Sequence, residues 1–505
     1  MEYYCLLQSA VSYIESHVRA EIDFGALSRS FGVSEPHFRA VFSSLIGVSP
    51  GRYALSRRVA NAAFEIAHTD RSLSEIALDY GFDCPDTFTR AFRRETGMTP
   101  SSFRSERVPV GRVMLAAGAY GPGVKRMGNV PLILPSPEDA TTKARIEKVS
   151  DGCVLYGVQR VWYRHEECTP FAASLRSCLN YLGQDIRYAY LMAATGAAFR
   201  LRWNSSCWDS GNVDIMNVFD DTEEAFVRGF RAAGRSCSFM RREANTTKAD
   251  FADFIRAEID AGRPVIALGI IGPPEACVIA GYRAGGETLL GWNFFQESPE
   301  FGGRRIDDSG YFTTDRWWGN PSTRLLMAIG EDRVETPDAS EILREALDIL
   351  ERETVTHSNG CAYYGGQAAY RAWAAAFSND EDYPEGMPLP RLFERLMCNN
   401  DALMTVGEGR AYAAAWLRTL ADSFAGEGKG DLAAIARRAG ECFAGEEALV
   451  GEIRAMPEYR EPGERRALAL TDPDVRKKIV ERIMRAGELD RGGAAAIREL
   501  LGSWR

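Results

Sequence analysis

The chain has 505 residues, of which 45% are hydrophobic and 26% charged, so it can build roughly two to four globular domains and excludes extensive disorder. Its formal net charge of −10 argues against nucleic-acid binding unless arginines are concentrated on one surface. No apolar run approaches the roughly 18 residues that span a bilayer, and the N-terminus lacks the basic and apolar regions of a secretory signal. These features predict a cytoplasmic protein with no membrane partner.

The cysteines are not spaced like those of a disulfide framework or a metal site. The sequence has 11 cysteines without a CxxC pair and five scattered histidines. This pattern predicts reduced thiols rather than a disulfide framework or a zinc site. We therefore expect neither a metal nor a cofactor.

The first hundred residues contain an internal repeat with an offset of 50 residues. In each copy the pattern predicts a helix, a tight turn and a second helix with an inward-facing pair of phenylalanines. A continuous helix is predicted over residues 51–70, between the copies. The matching positions pair Phe38 with Phe88, Phe42 with Phe92, Gly47 with Gly97, Pro50 with Pro100 and Tyr53 with Phe103.

The second copy is the more informative one. Ser72 or Ser74 is a suitable N-cap for its first helix, and Gly81 suits the turn because glycine tolerates a positive φ. The second helix has Pro85 in its first turn and ends at Gly97.

This pattern resembles the DNA-binding domain of AraC-type transcription regulators, in which two helix-turn-helix units are joined by a long helix. The resemblance covers residues 1–106. It implies that the helices Glu35–Ile46 and Pro85–Thr96 enter successive major grooves of double-stranded DNA. The residues that carry it are Ile76, Ala77, Gly81, Phe82, Phe88, Arg90, Phe92, Gly97, Pro100, Phe103 and Arg104.

The same resemblance implies which side chains face the bases. Arg90 suits this place because a guanidinium can bind both acceptors of guanine. Ala40 departs from the family, where a basic residue is common, so the first unit is expected mainly to position the protein. Arg90 could instead form an i,i+4 ion pair with Asp86. The base-facing positions are Pro36, His37, Arg39 and Ala40 in the first unit, and Pro85, Asp86, Thr87 and Arg90 in the second.

After a Gly-, Pro- and Val-rich linker at residues 107–143, the periodicity changes. Residues 144–332 alternate short apolar runs with amphipathic helices, which predicts an α+β domain. Residues 336–505 are rich in Ala, Glu, Arg and Leu, which predicts a nearly strand-free helical domain. The predicted fold is therefore multidomain. Strands are expected at 153–163, 198–203, 213–219, 264–271, 276–282, 288–295 and 324–330.

The α+β domain resembles the papain-like fold of bacteriocin-processing peptidases and their acyltransferase relatives in antibiotic biosynthesis. Cys168 precedes a helix that starts Thr169-Pro170, where a thiolate nucleophile would be stabilised. In catalytic relatives a histidine opens the first strand of the later hairpin; here Glu275, Ala276 and Cys277 stand there. Asn293 remains at the orienting position, and the nearest histidine is His165. Without a positioned base we expect no catalysis.

A small-molecule site is the preferred role for this domain. Six of the nine tryptophans fall within it, and tryptophans often line pockets for flat or apolar ligands. Glu275 could accept a cationic ligand beside a tryptophan, or could be an ordinary surface carboxylate. Cys168 could line the pocket or be buried. The candidate ligand-binding residues are Cys168, Trp208, Glu275, Trp292 and Asn293.

A second aromatic cluster stands at the start of the helical region. His357, Cys361, Tyr363 and Tyr364 are expected to pack a tight helix entry rather than to bind a metal.

Three functions fit the sequence. The first is a one-component transcription regulator controlled by a small-molecule effector. The second is a cysteine acyltransferase or hydrolase fused to a DNA-binding module. The third is a scaffold whose C-terminal helices recruit RNA polymerase or a second subunit, and a homo-oligomer is compatible with each. The missing histidine favours the first.

Overall fold

The structure is a computed structural model that describes residues 10, 13–14, 17, 19–20, 22–30, 33–46, 49–68, 71–82, 84–96, 99–105, 145–163, 167–204, 207–208, 214–296, 304–356, 362–461 and 463–504. The chain divides into two compact units. Unit 1 comprises Met1–Thr142, Glu297–Gly302 and Glu461–Arg466, and unit 2 comprises Lys143–Gln296, Gly303–Arg460 and Ala467–Arg505. The predicted linker at 107–143 lies outside the described residues. The boundary between the two units falls near its end, between Thr142 and Lys143.

The described helices of unit 1 follow the predicted repeat. Ser72 is the N-cap of the helix Leu73–Asp79 and forms a reciprocal capping box with Glu75. Gly81 has φ 75°, as a turn between two packed helices requires. The helices are α1 Phe24–Ser30, α2 Glu35–Ile46, α3 Pro50–His68, α4 Leu73–Asp79, α5 Pro85–Thr96 and α6 Pro100–Ser105.

Unit 2 contains a large antiparallel sheet with strand order β4–β10–β5–β6–β7–β9–β8, and β2 joins it by pairing with both β1 and β6. A separate small sheet has the order β11–β12–β3. The strands are β1 Arg145–Val149, β2 Gly152–Tyr156, β3 Arg202–Asn204, β4 Arg235–Arg241, β5 Val265–Leu268, β6 Ala276–Arg283, β7 Thr288–Trp292, β8 Arg304–Ile306, β9 Phe312–Thr314, β10 Leu325–Arg333, β11 Thr354–Thr356 and β12 Ala362–Gly365.

The helices of unit 2 fall into a set near the large sheet and a C-terminal bundle. Among the helices that the structure describes, none is both long and apolar enough to cross a membrane. The helices are α7 Pro170–Tyr181, α8 Tyr188–Ala194, α9 Glu224–Ala232, α10 Lys248–Asp260, α11 Ala339–Glu351, α12 Gly366–Ser378, α13 Leu389–Gly426, α14 Gly430–Ala455, α15 Pro457–Arg460 and α17 Pro473–Ser503; α16 Gly463–Ala469 crosses the boundary between the units.

One predicted strand is wrong. In the run 213–219 the structure has a 3-10 helix at Ile215–Asn217. The buried carboxylate of Asp214 explains the difference. It accepts hydrogen bonds from the backbone N–H groups of Ile215 at 2.8 Å, Ala276 at 2.9 Å and Phe171 at 3.2 Å. The bond to Ile215 satisfies a backbone donor that a strand ladder would otherwise take.

The C-terminal helical region is not free of strands. It contributes β11 and β12, and β12 pairs with β3 from the preceding α+β region. The two regions thus share a sheet and lie in one compact unit, while the specific papain-like fold stays a prediction. An apolar core joins them, formed by residues that include Leu201, Trp203, Trp373, Leu403, Ile453 and Ile479.

Candidate nucleic-acid interface

The second candidate recognition helix, α5, is held by a run of buried aromatic rings. Phe88 packs against Phe82 at 5.0 Å and Phe92 at 5.4 Å between ring centroids, and Phe92 packs edge-on against Phe103 at 5.4 Å. These four rings are buried. Because they fix the rotation of α5, the opposite face must point to solvent. That face carries Pro85, Asp86, Thr87 and Arg90, all exposed.

Arg90 keeps its charge at the surface. Its Nε lies 3.4 Å from the backbone carbonyl of Asp86, a weak contact, and no ion pair joins it to the carboxylate of Asp86, both residues being described. The ion-pair alternative is therefore not what the structure has. Arg93 lies one turn further along the same helix and is also exposed.

The first candidate recognition helix, α2, uses the equivalent framework. Phe38 and Phe42 are buried with centroids 5.7 Å apart, and Pro36, His37 and Arg39 are exposed. The side chain of Ala40 lies outside the described residues.

Arg39 is engaged within its own unit. Its guanidinium bonds to the Glu35 carboxylate at 2.7 Å and lies 5.2 Å from the ring of Phe24. The helix therefore presents a partly neutralised charge, which agrees with a first unit that positions the protein.

Two other arginines of unit 1 have structural positions that the sequence did not indicate. Arg57 lies on the connecting helix α3, and its side chain is only 2% exposed. Arg104 donates from Nη2 to the carbonyl of Arg71 at 2.7 Å. Neither side chain is therefore placed to bind a phosphate.

In unit 2, Cys168 is 4% exposed and lies directly before α7. The carboxylate of Glu408, on α13, accepts the backbone N–H groups of Cys168 at 2.5 Å and Thr169 at 3.1 Å and the Thr169 hydroxyl at 2.8 Å. The Tyr188 hydroxyl donates to the same carboxylate at 2.8 Å. The positive end of α7 is thus already occupied by an anion.

Glu275 is close to this site through Tyr163. The Tyr163 hydroxyl donates to the Glu275 carboxylate, and the tyrosine packs against Cys168 and Met404. Burial, followed by the charge of Glu275, raises the pKa of Tyr163 well above its usual value. Tyr163 therefore stays protonated. Its hydroxyl donates to the Glu275 carboxylate, which the sequence predicted as a possible acceptor for a cationic ligand.

Trp292 and Asn293 belong to the buried hairpin. Trp292 is 3% exposed and donates from Nε1 to the carbonyl of Val158 at 2.8 Å. Asn293 accepts the Phe295 N–H at 2.8 Å and also bonds to the thiol of Cys277, whose pKa burial raises to about 12. Both contacts are those expected of residues that stabilise the hairpin.

Trp208 lies in a different place. It lines a cleft of about 620 Å³ together with Trp203 and Tyr364. The guanidinium of Arg395 lies 4.5 Å from the Trp208 ring centroid. The structure therefore brings Cys168 and Glu275 together through Tyr163, places Trp292 and Asn293 in the hairpin, and sets Trp208 in the cleft.

The aromatic cluster at the start of the helical region is partly described. Arg202 stacks over the buried ring of Tyr363 at 4.4 Å, which is a packing role. Tyr364 faces the cleft instead. His357 and Cys361 lie outside the described residues.

Comparisons with known proteins concern the first fifth of the chain. A helix-turn-helix domain family matches residues 27–106. The regulatory protein SoxS of Salmonella typhimurium is 30% identical over 104 residues, which are 21% of this chain and 97% of SoxS. The HTH-type transcriptional regulator YbfP of Bacillus subtilis is 33% identical over 105 residues, 21% of this chain and 36% of that protein. The chain therefore covers about a third of YbfP.

A solved structure is also similar. It is a transcriptional regulator from Chromobacterium violaceum with an AraC-type DNA-binding domain, 26% identical to this chain. The match covers 21% of this chain and 96% of that one, with a TM-score of 0.20.

Proposed function

The chain belongs to the AraC-type family of DNA-binding transcription regulators through its N-terminal domain, and from that premise we propose that it is a one-component regulator. In this proposal unit 1 binds a specific duplex sequence and unit 2 binds a small molecule that alters this binding. The observation that supports it most directly is the exposed polar face at the N-terminal turns of α2 and α5, on a framework of buried phenylalanines.

The two helices are proposed to divide the work of recognition. Arg90 lies in the second turn of α5, and its exposed guanidinium can donate two hydrogen bonds to one guanine. Thr87 and Asp86 beside it offer a hydroxyl and a carboxylate for neighbouring bases. In α2 the pair between Arg39 and Glu35 lowers the net charge, so this helix contributes more to register than to base choice.

Replacing Arg90 tests the division between reading and positioning. In the full-length chain we expect Arg90→Ala to relax base preference at one position of the site and to cost about 1–3 kcal/mol of specific binding. Binding to random DNA should change little. The measurement is an equilibrium titration of the selected site, its single-base variants and a random duplex.

Arg93→Ala is the matched control, because Arg93 is an exposed arginine on the same helix one turn later. If it contacts phosphate, it should weaken binding to all sequences alike and reduce the salt slope by about 1. Equal losses on specific and random DNA for both variants would mean that α5 is not the base-reading helix.

The enzyme alternative is disfavoured by charge. A cysteine nucleophile needs a thiolate, and a helix N-terminus stabilises one only if its N–H groups are free to face it. Here the backbone N–H groups of Cys168 and Thr169, directly before α7, donate to the Glu408 carboxylate, and that of Phe171 in the first turn donates to Asp214. A second anion on Cys168 would be repelled by Glu408 and would lose solvation in this buried position.

Thiol reactivity separates the two functions. In the native chain at pH 8 we expect iodoacetamide to modify the exposed Cys207 at least about tenfold faster than Cys168, as burial and a neighbouring carboxylate dictate. Mass spectrometry of peptides from the alkylated protein measures both rates. Cys168→Ala should leave effector-dependent transcription intact. Selective acylation of Cys168 with turnover of a thioester or peptide would instead establish an enzyme, with His165 as the candidate base.

A further inference from the structure

The small three-stranded sheet of unit 2 has an aromatic face that is open to a cleft. Tyr364 lies directly opposite Trp203 on one side and Thr354 on the other in the antiparallel register. Residues directly opposite one another project on the same face of a sheet, about 5 Å apart. All three line the cleft, and Tyr364 is 38% exposed although it lies between Trp203 and Thr354 on this face.

The facing wall is an alanine surface of α12. Ala368, Ala372, Ala375 and Ala376 follow the i, i+4, i+7, i+8 spacing that places residues on one face of a helix, and all four line the cleft. Ala375 is exposed, and Ala372 and Ala376 are half-buried. A solvent-facing helix surface is usually polar, whereas four of the five α12 residues that line the cleft are alanines and Arg371 is the one long side chain among them. The result is an apolar slot rather than a filled interface.

The aromatic side of the slot is rigid. Trp203 stacks on Trp373 with a centroid distance of 6.0 Å and an angle of 16°, and Trp208 meets Trp203 edge-on at 5.4 Å. Trp208 is in turn packed against Phe377 at 5.6 Å. Because these rings pack against other aromatic side chains, their positions do not depend on a bound molecule. Binding therefore costs little conformational entropy on this side of the slot.

Polar groups stand at the rim. Arg371 pairs with Glu353 at 3.0 Å, and the carboxylate of Asp382 lies 3.6 Å from Arg395. Glu353, Arg371 and Asp382 all line the cleft. A few polar groups around an apolar slot of several hundred Å³ are the usual composition of a small-molecule site.

From this geometry we infer that the cleft between β3, β12 and α12 binds a flat aromatic molecule, whose ring inserts between Tyr364 and the alanine face and whose polar substituents meet the Glu353–Arg371 pair. The inference rests on the proposed function, since it assigns the effector of unit 2 to this cleft and to this chemical class. It moves the site away from Cys168 and Glu275, whose polar groups are already bonded to Glu408 and Tyr163.

The test is a fluorescence titration of the full-length chain with 1-aminoanthracene, a neutral planar probe that brightens in an apolar site. Wild-type protein should show saturable binding at one site per chain. Ala375→Trp fills the slot and Tyr364→Ala removes one of its walls, so each should weaken probe binding at least about tenfold, which corresponds to about 1.4 kcal/mol. Ala434→Trp is the control, because Ala434 is also an exposed alanine in a helix and does not line the cleft.

The outcomes are distinct. Absence of saturable binding to wild type, or equal binding by Ala375→Trp and wild type, overturns the inference. So does a probe-excluding dimer found by light scattering, which would assign the cleft to a second copy. The thermal transition of each variant, followed by tryptophan fluorescence, must match that of wild type, and Tyr364→Ala supplies the answer if Ala375→Trp does not fold. Promoter DNA titrated without probe keeps the proposed function separate, because DNA binding can fail while probe binding persists.

Discussion

A fragment of residues 1–106 is expected to fold by itself and to bind duplex DNA with a steep dependence on salt. Folding is expected because the phenylalanines of α5 belong to an apolar cluster formed within this segment, and because a regulator matched over 97% of its length, SoxS, is scarcely longer than this domain. A protein that makes roughly six to ten phosphate contacts loses about 10³ to 10⁵ in affinity between about 50 and 200 mM salt.

The salt dependence is a demanding test because the domain is not basic overall. Residues 1–104 contain 11 arginines and no lysine against 12 acidic residues, a balance of −1. Counterion release must therefore come from where the exposed arginines of this segment lie, among them Arg90, Arg93 and Arg94, rather than from net charge. Fluorescence anisotropy with promoter DNA from the gene's own locus, repeated across salt concentrations, measures the slope.

The control for that titration is the same fragment with Arg90→Gln and Arg93→Gln. It keeps the fold, since both side chains are exposed, and should have a shallower salt slope. A fragment that is folded by circular dichroism yet shows no salt-sensitive binding would contradict the DNA-binding function itself.

The parts of unit 1 that the sequence predicted are those set by local pattern. The paired phenylalanines, the Ser72 cap and Gly81 each act within a few residues of where they stand, so spacing alone predicted α4, the turn and α5. The burial of Arg57 was not predictable in this way. A long charged side chain at a helical position carries no sign in the sequence that it will be buried.

In unit 2 the unpredicted features depend on residues far apart in the chain. Glu408 reaches the start of α7 across 239 residues, and Thr354 joins a sheet whose other edge is β3. No periodicity encodes such contacts. The cleft illustrates the same limit, because its alanines are good helix formers wherever they occur, and only the tertiary structure places them opposite Trp203 and Tyr364.

Replacing Arg410 is expected to have the largest effect on the stability of unit 2. Its side chain is fully buried on α13 and bonds to Asp490 on α17 at 2.7 Å and to Glu446 on α14 at 3.3 Å. It also donates to the carbonyl of Ala198 at 2.8 Å, so one guanidinium joins three bundle helices to the α+β region. Removing one partner of a buried ion pair leaves an uncompensated charge and costs about 3–5 kcal/mol.

The measurement for Arg410→Met is thermal unfolding followed by tryptophan fluorescence. All nine tryptophans lie between Trp162 and Trp504, so the signal reports unit 2 and not the DNA-binding domain. Arg438→Met is the matched control, since Arg438 pairs with Glu499 between α14 and α17 with both side chains about half exposed. That change should cost about 0–1 kcal/mol. Equal losses for the two variants would contradict a central role for Arg410.

The same cluster predicts an unusual pH dependence. Burial, followed by the charge of Asp490, raises the pKa of Glu446 well above its usual 4.5. The folded chain therefore keeps a proton that the unfolded chain releases above about pH 4.5, and stability falls as the pH rises towards the folded pKa. In the wild type the Tyr370 hydroxyl donates a hydrogen bond of 2.5 Å to the Glu446 carboxyl. The amide oxygen of Glu446→Gln can accept the same bond, and this side chain needs no proton. The melting temperature of this variant should gain on that of wild type as the pH rises from 5 towards the folded pKa of Glu446. A constant difference would mean that Glu446 is ionised in the folded chain, beside Asp490, over that range.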